Sequence, residues 1–170
     1  HANKASAYIA IGQAVNQQRS DQEGYDWALV EARRRGDQAA AKDLEDIGPP
    51  PYSPERVIRQ RAYIGAYGGA FHKAQPLWQT LLTALKSPET SWTDYFAFKG
   101  GGEISLKALW GTLQGWDAVR DYPRLDVPTF FIHGRYDRQV SALQAELYFN
   151  KLAAPKKEFI WFENSAHSPP

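Results

Sequence analysis

The stretch Val127-Pro128-Thr129-Phe130-Phe131-Ile132-His133-Gly134-Arg135-Tyr136-Asp137 decides how this chain is read. Its first six residues are apolar, β-branched or aromatic, apart from a proline near the start, where a strand tolerates one. The run ends at His133-Gly134, and Arg135, Tyr136 and Asp137 then form a loop. Ser141 followed by Gln144 has the spacing of a capping box and opens a helix. Val140, Leu143, Leu147, Tyr148 and Leu152 follow at helical intervals, with Pro155 beyond the helix end. Phe159-Ile160-Trp161-Phe162 is a second apolar strand, and Glu163 to His167 is the loop behind it.

A strand–helix–strand unit of this size predicts a right-handed crossover between parallel strands. Asp137 and His167 then both lie just past the C-terminal strand ends, the rim where open α/β sheets place their chemistry. A carboxylate there can fix the tautomer of an imidazole and stabilise its protonated form while the other ring nitrogen moves a proton. The plainer alternative makes Asp137 a turn cap and His167 a surface histidine. Position on the rim leaves both readings standing.

His133-Gly134-Arg135-Tyr136-Asp137 and Asn164-Ser165-Ala166-His167-Ser168-Pro169 resemble the acid and histidine segments of the α/β-hydrolase superfamily. Tyr8-Ile9-Ala10-Ile11-Gly12-Gln13 and Ile47-Gly48-Pro49-Pro50-Pro51-Tyr52 resemble its capped branch, near the proline iminopeptidases. The resemblance covers nearly the whole chain. It implies that Asp137 and His167 are the acid and histidine of a catalytic triad whose chain order is nucleophile, acid, histidine. Such an enzyme also needs a Gly-x-Ser-x-Gly elbow to present the nucleophile, and no such pattern occurs in these 170 residues. The expectation is therefore the C-terminal part of a hydrolase, starting after the nucleophile helix. Methionine is missing throughout, position 1 included, which fits a fragment, a processed chain or a recombinant product.

Composition narrows the rest. Six Trp, nine Tyr and eight Phe, with 43% hydrophobic residues, predict a folded, aromatic-rich globule. A formal charge of +1 points to neither nucleic acid nor an anionic membrane as partner. Without cysteine there is no disulfide, thiol nucleophile or Cys-based metal site. No apolar run has the length of a membrane span, and no signal peptide is visible. The expectation is a soluble chain with the cytoplasm as default compartment. No cofactor or metal is implied, since no His/Asp/Glu spacing matches a metal site.

Between the first strand, Ala7 to Ile11, and the decisive stretch lies a helical, proline-punctuated region. Ser20 with Glu23 reads as a capping box for a helix running to about Arg35, and Asp37 to Asp46 as a second helix. Arg33-Arg34-Arg35 is a solvated helix end rather than a binding patch. Gly48-Pro49-Pro50-Pro51 reads as an extended connector. Ser53-Pro54-Glu55 starts a third helix with its proline in the first turn. A helix over Gln75 to Leu85 and an aromatic segment from Ser91 come next. Lys99-Gly100-Gly101-Gly102 lacks the Lys-Ser or Lys-Thr ending of a phosphate loop and predicts a turn. Ile104, Leu106, Leu109, Trp110 and Leu113 then outline an amphipathic helix.

The organisation expected is α/β: a core-sheet strand in residues 1–14, an all-helical insert in 15–122, and a C-terminal βαβ unit in 123–170. In the capped hydrolases such an insert is a lid over the catalytic rim. Trp78, Trp92, Trp110 and Trp116 are the aromatics that could line a pocket beneath it, though most should be ordinary core. Tyr136, Trp110 and Phe71 are the substrate-contact candidates. His72 reads as a packing or surface histidine. An aminopeptidase would need a carboxylate for the substrate ammonium, for which Glu103 and Glu23 are available in the insert.

The function implied is hydrolysis of an ester or amide, with a small molecule or short peptide as substrate. Two other classes remain open: an upstream aspartate nucleophile, as in epoxide hydrolases and haloalkane dehalogenases, or a non-catalytic binding fragment. The expected partner is the missing N-terminal portion or a second copy, because a partial sheet exposes an edge and apolar surface.

Overall fold

The computed structural model describes residues 5–71 and 91–167. The predicted Gln75–Leu85 helix, with Trp78, and His72 lie outside the described residues. Three strands form one parallel sheet in the order β1 (Tyr8–Ile11), β2 (Thr129–Gly134), β3 (Lys157–Phe162). The register sets Ala10 beside Phe131 and Phe131 beside Phe159, so these three side chains share one face. The helix that crosses from β2 to β3 (Ala142–Lys151) lays Ala145 and Tyr148, with Leu152 just past its end, on that face. Phe131 and Phe159 stack at 5.8 Å, and Tyr148 meets Phe131 edge-on at 5.7 Å. Burying a side chain such as Phe131 contributes roughly 1.5–3 kcal/mol. The opposite face carries Ile9, Phe130, Ile11, Ile132 and Ile160. Ile9 and Ile11 are each 61% exposed there.

A helical layer makes the second core. It consists of α1 (Gln17–Arg34), α2 (Gln38–Ile47), α3 (Pro54–Ala66) and α4 (Trp92–Gln114), followed by a single turn, α5 (Ala118–Asp121); the crossover helix is then α6. Alanines 28 and 32 of α1 pack with Leu44 and Ile47 of α2, Val57 and Ile64 of α3 and Trp110 of α4. Ser53 and Pro54 begin α3 as predicted, Ser53 Oγ accepting from Arg56 N–H. The triple-arginine segment is a helix end tied by exposed pairs to Glu31 and Glu45.

The chain enters and leaves this layer at one place. Asn16 and Asp117 form an antiparallel bridge, Trp116 Nε1 donates to the Ala14 carbonyl at 2.8 Å, and Ala118 N–H donates to the Val15 carbonyl at 2.7 Å.

Two helix boundaries differ from the sequence reading. The cap of α1 is Asn16, whose Oδ1 accepts from Arg19 N–H at 2.9 Å, not Ser20. Ser20 is instead one turn inside and buried, because its face of the helix meets the acid loop. The expected break at Gly100–Gly102 is absent: α4 runs through the three glycines as one helix of 23 residues. A helix bears each glycine at a cost of about 1 kcal/mol. Ser91 and Asp94 offset part of that with a complete capping box. The Pro49–Pro51 connector bends rather than running extended. Among the described residues no helix is long and apolar enough to cross a membrane.

Candidate active site

Asp137 and His167 meet. His167 Nδ1 lies 3.0 Å from Asp137 Oδ2. The carboxylate is an acceptor, so Nδ1 carries the hydrogen and Nε2 is the ring nitrogen that the acid does not engage. Among the described residues Nε2 has no hydrogen-bond partner, and the side chain is 27% exposed. The other carboxylate oxygen, Oδ1, accepts from the backbone N–H groups of Gln139 and Val140, both at 2.9 Å. The turn-cap reading and the partner-of-histidine reading are thus both realised, one oxygen each.

A residue that the motif reading passed over completes the set. His133 Nε2 stands 3.2 Å from Asp137 Oδ2 and 3.2 Å from the Val140 carbonyl. His133 is on the helix-facing side of β2, two residues after Phe131, so strand alternation could have placed it there. Burial pushes the Asp137 carboxyl up, but the hydrogen bonds from His133 and His167, the charge of His167 and the Val140 N–H outweigh it. Asp137 is held below its ordinary value.

The two loops are fixed to each other by their backbones. Tyr136 N–H donates to the Ser165 carbonyl at 3.0 Å, and Arg135 N–H to the Phe162 carbonyl at 3.1 Å. Gly134 permits this contact: a Cβ there would lie 1.9 Å from the Ala166 carbonyl oxygen. On the rim, Arg135 pairs with Glu163 at 2.6 Å and covers the Trp161 ring at 3.8 Å. Gly12, which ends β1 with φ +52°, lies against the His167 ring.

The helical layer holds both loops as well. The Gly69 carbonyl accepts from Arg138 N–H at 2.9 Å, and the Ala70 carbonyl accepts from His167 N–H at 3.0 Å. Helix α1 leans on the same region: Ser141 N–H donates to Ser20 Oγ at 3.3 Å, and Gln144 Nε2 to Glu23 at 2.6 Å. Glu23 also accepts the Ser141 hydroxyl, so both its oxygens are engaged in binding α1 to α6. Glu103 is exposed on α4.

Of the substrate-contact candidates, Phe71 follows the Ala70 strap and is 40% exposed, and Tyr136 is exposed beside Asp137. Trp110 is in the helical core, its indole N–H donating to the Tyr52 carbonyl at 2.7 Å. Arg61 lies over its ring at 5.6 Å. Burial pulls the Arg61 guanidinium down, against the charges of Asp21 and Asp137. Burial pushes Asp21 up to about 6, opposed by Arg61 and by a hydrogen bond from Gln17. Neither residue was singled out from sequence, although i, i+4 spacing puts Asp21 on the same inward face as Gln17. Among the described residues no group of three His, Cys, Asp or Glu side chains could hold a metal.

A parallel α/β sheet with an acid–histidine pair at its C-terminal rim is the arrangement of a hydrolase-type fold, and comparison with known proteins points the same way. The chain shares its fold with an esterase, EaEST from Exiguobacterium antarcticum, at a TM-score of 0.51 and 15% identity, over 96% of this chain and 50% of that one. It is 28% identical over 164 residues to YbaC, a probable aminopeptidase of Bacillus subtilis strain 168. That alignment covers 95% of this chain and 52% of the aminopeptidase, so the chain spans about half the length of the relatives it matches. No family model matches it.

Proposed function

We propose that this chain supplies the acid and the histidine of a serine-type α/β hydrolase that cleaves an ester or amide bond, in the manner of an aminopeptidase near the proline iminopeptidases. The observation that carries this is the 3.0 Å contact between His167 Nδ1 and Asp137 Oδ2, with Nε2 unbonded among the described residues. Asp137 orients the ring and stabilises its protonated form. His167 Nε2 takes the proton of the nucleophile's hydroxyl and returns it to the leaving group. The serine and the oxyanion hole come from a segment outside these 170 residues. That segment pairs along the outer edge of β1, which has no strand beside it among the described residues, next to the exposed Ile9 and Ile11. The helices of residues 15–122 act as a lid, and their Gly69–Ala70 strap, bonded to both loops, supports that role.

The test uses the polypeptide that includes the nucleophile. His167→Ala should lower kcat by roughly 10³-fold or more on aminoacyl anilides or aryl esters. Turnover that survives the substitution nearly unchanged rejects the assignment. The 170-residue chain alone should give no triad hydrolysis, once traces of longer enzyme are excluded by mass.

A further inference from the structure

The contact between Asp137 and His167 is not a closed pair. Asp137 Oδ1 accepts from the N–H groups of Gln139 and Val140, while Oδ2 stands 3.0 Å from His167 Nδ1 and 3.2 Å from a second imidazole nitrogen, His133 Nε2. His133 Nε2 faces two groups that only accept, Asp137 Oδ2 and the Val140 carbonyl. A nitrogen between two acceptors must carry the hydrogen, so the tautomer of His133 is fixed as Nε2–H. The ring is 1% exposed and packs beside the Phe159–Trp161 pair, at 6.5 Å and 6.3 Å from their rings.

We infer that His133 is a positioning residue for His167. Resting on the proposed triad, this assigns the buried histidine a share in setting how strongly His167 holds its proton. The Nε2–H of His133 bonds to the Val140 carbonyl and sits 3.2 Å from the oxygen that His167 uses, so its positive end draws on part of that oxygen's charge. An acceptor whose charge is shared stabilises an imidazolium less than one whose charge is not. His133 therefore leaves Asp137 Oδ2 with less negative charge to offer a protonated His167.

Other charges reach the same carboxylate and must stay constant in a test. Arg61 on α3 acts on Asp137 through space, and Asp21 on α1 acts on Arg61. The Arg135–Glu163 pair lies on the rim. A histidine that only filled space would leave the protonation of His167 unaltered when replaced by an apolar side chain of similar size. A positioning residue would not.

The experiment is nitrogen-detected NMR of the 170-residue chain, whose four histidines are readily resolved. In the unmodified chain the His133 Nε2–H resonance should move as His167 is titrated, because protonating His167 draws on the shared oxygen. In His133→Met the pKa of His167 should rise by about one unit, a tenfold change in proton affinity. In His133→Gln, whose amide can still donate, it should return most of the way. A His133 resonance that stays flat through the His167 titration overturns the inference even if His133→Met does not fold. So does an unchanged His167 pKa in a folded His133→Met. Neither readout needs catalysis, so loss of the hydrolase reading in the His167→Ala assay would leave this result standing on its own.

Discussion

Gly134→Ala tests whether the acid and histidine loops are held in contact by backbone shape. The Cβ of alanine would stand 1.9 Å from the Ala166 carbonyl oxygen, 2.6 Å from that of Ser165 and 2.7 Å from the Ala166 carbonyl carbon. All three are backbone atoms, so no side-chain rotation relieves the clash. To restore ordinary contact the histidine loop must retreat by roughly 1.5 Å. That movement breaks the 3.0 Å bond from Tyr136 N–H to Ser165 and carries His167 away from Asp137. Overpacking costs about 1–3 kcal/mol and a lost internal hydrogen bond about 0.5–1.5 kcal/mol, which together give about 1.5–4.5 kcal/mol. Urea unfolding of the chain measures the loss, and the His167 Nδ1–H resonance reports the pair. Gly101→Ala is the control, because a Cβ there meets nothing within 4 Å. If Gly134→Ala unfolds within about 0.5 kcal/mol of the parent and the Nδ1–H signal is unmoved, the contact is not what joins the loops.

Two further substitutions probe the helical layer. Asp21 is neutral in the folded chain up to about 6, whereas its ordinary value is 3.8. Its folded value is the raised one, so stability is full at low pH, declines as pH climbs between those values and levels off above them. The loss amounts to roughly 3 kcal/mol. Urea midpoints of Asp21→Asn measured from pH 4 to pH 8 should lack this decline, and profiles parallel to the parent's count against the buried carboxylate. Asp137 has the opposite sign: its depressed value makes its stabilisation present above the usual carboxylate range and lost on acidification below it. Asn16→Ala should cost about 1–2 kcal/mol, since it removes both the α1 cap and the 2.9 Å bond to Asp117. A thermal midpoint equal to the parent's would return the cap to Ser20.

How much was legible depended on whether the signal was local. The strands were, because β-branched and aromatic runs between turn residues do not depend on partners. So was the cap at Ser53, where residue type and spacing suffice. Ser141 was legible by halves. Its hydroxyl accepts from Gln144 N–H as the box requires, but the Gln144 side chain reaches Glu23 instead of turning back. The same Glu23 misled the reading of α1: Ser-x-x-Glu is a capping box only when both residues face solvent at a helix end, and here both are committed to α6 and its cap. Gly134 was quoted as motif, yet its physical reason, a carbonyl crossing its Cα, is visible only once the loops are assembled. Trp110 shows the same limit in reverse. Its helical spacing marked a buried face but not which core, and that core is the one between helices.

The pair's meaning rests unequally on its two members. An intact Asp137 would weigh against a non-catalytic chain only if nothing structural required an aspartate there. The geometry removes that argument. Oδ1 caps the loop through two backbone N–H groups and Oδ2 faces a buried histidine nitrogen at 3.2 Å, so the residue would be wanted even in a chain with no reaction to perform. His167 has no such second use. Its ring bonds to Asp137 alone among the described residues, it is part-exposed, and a small side chain could replace it without leaving a buried polar group unpaired other than the one oxygen that His133 already serves. The presence of histidine at 167 is therefore what favours chemistry over architecture, and substitution there, rather than at 137, separates the two.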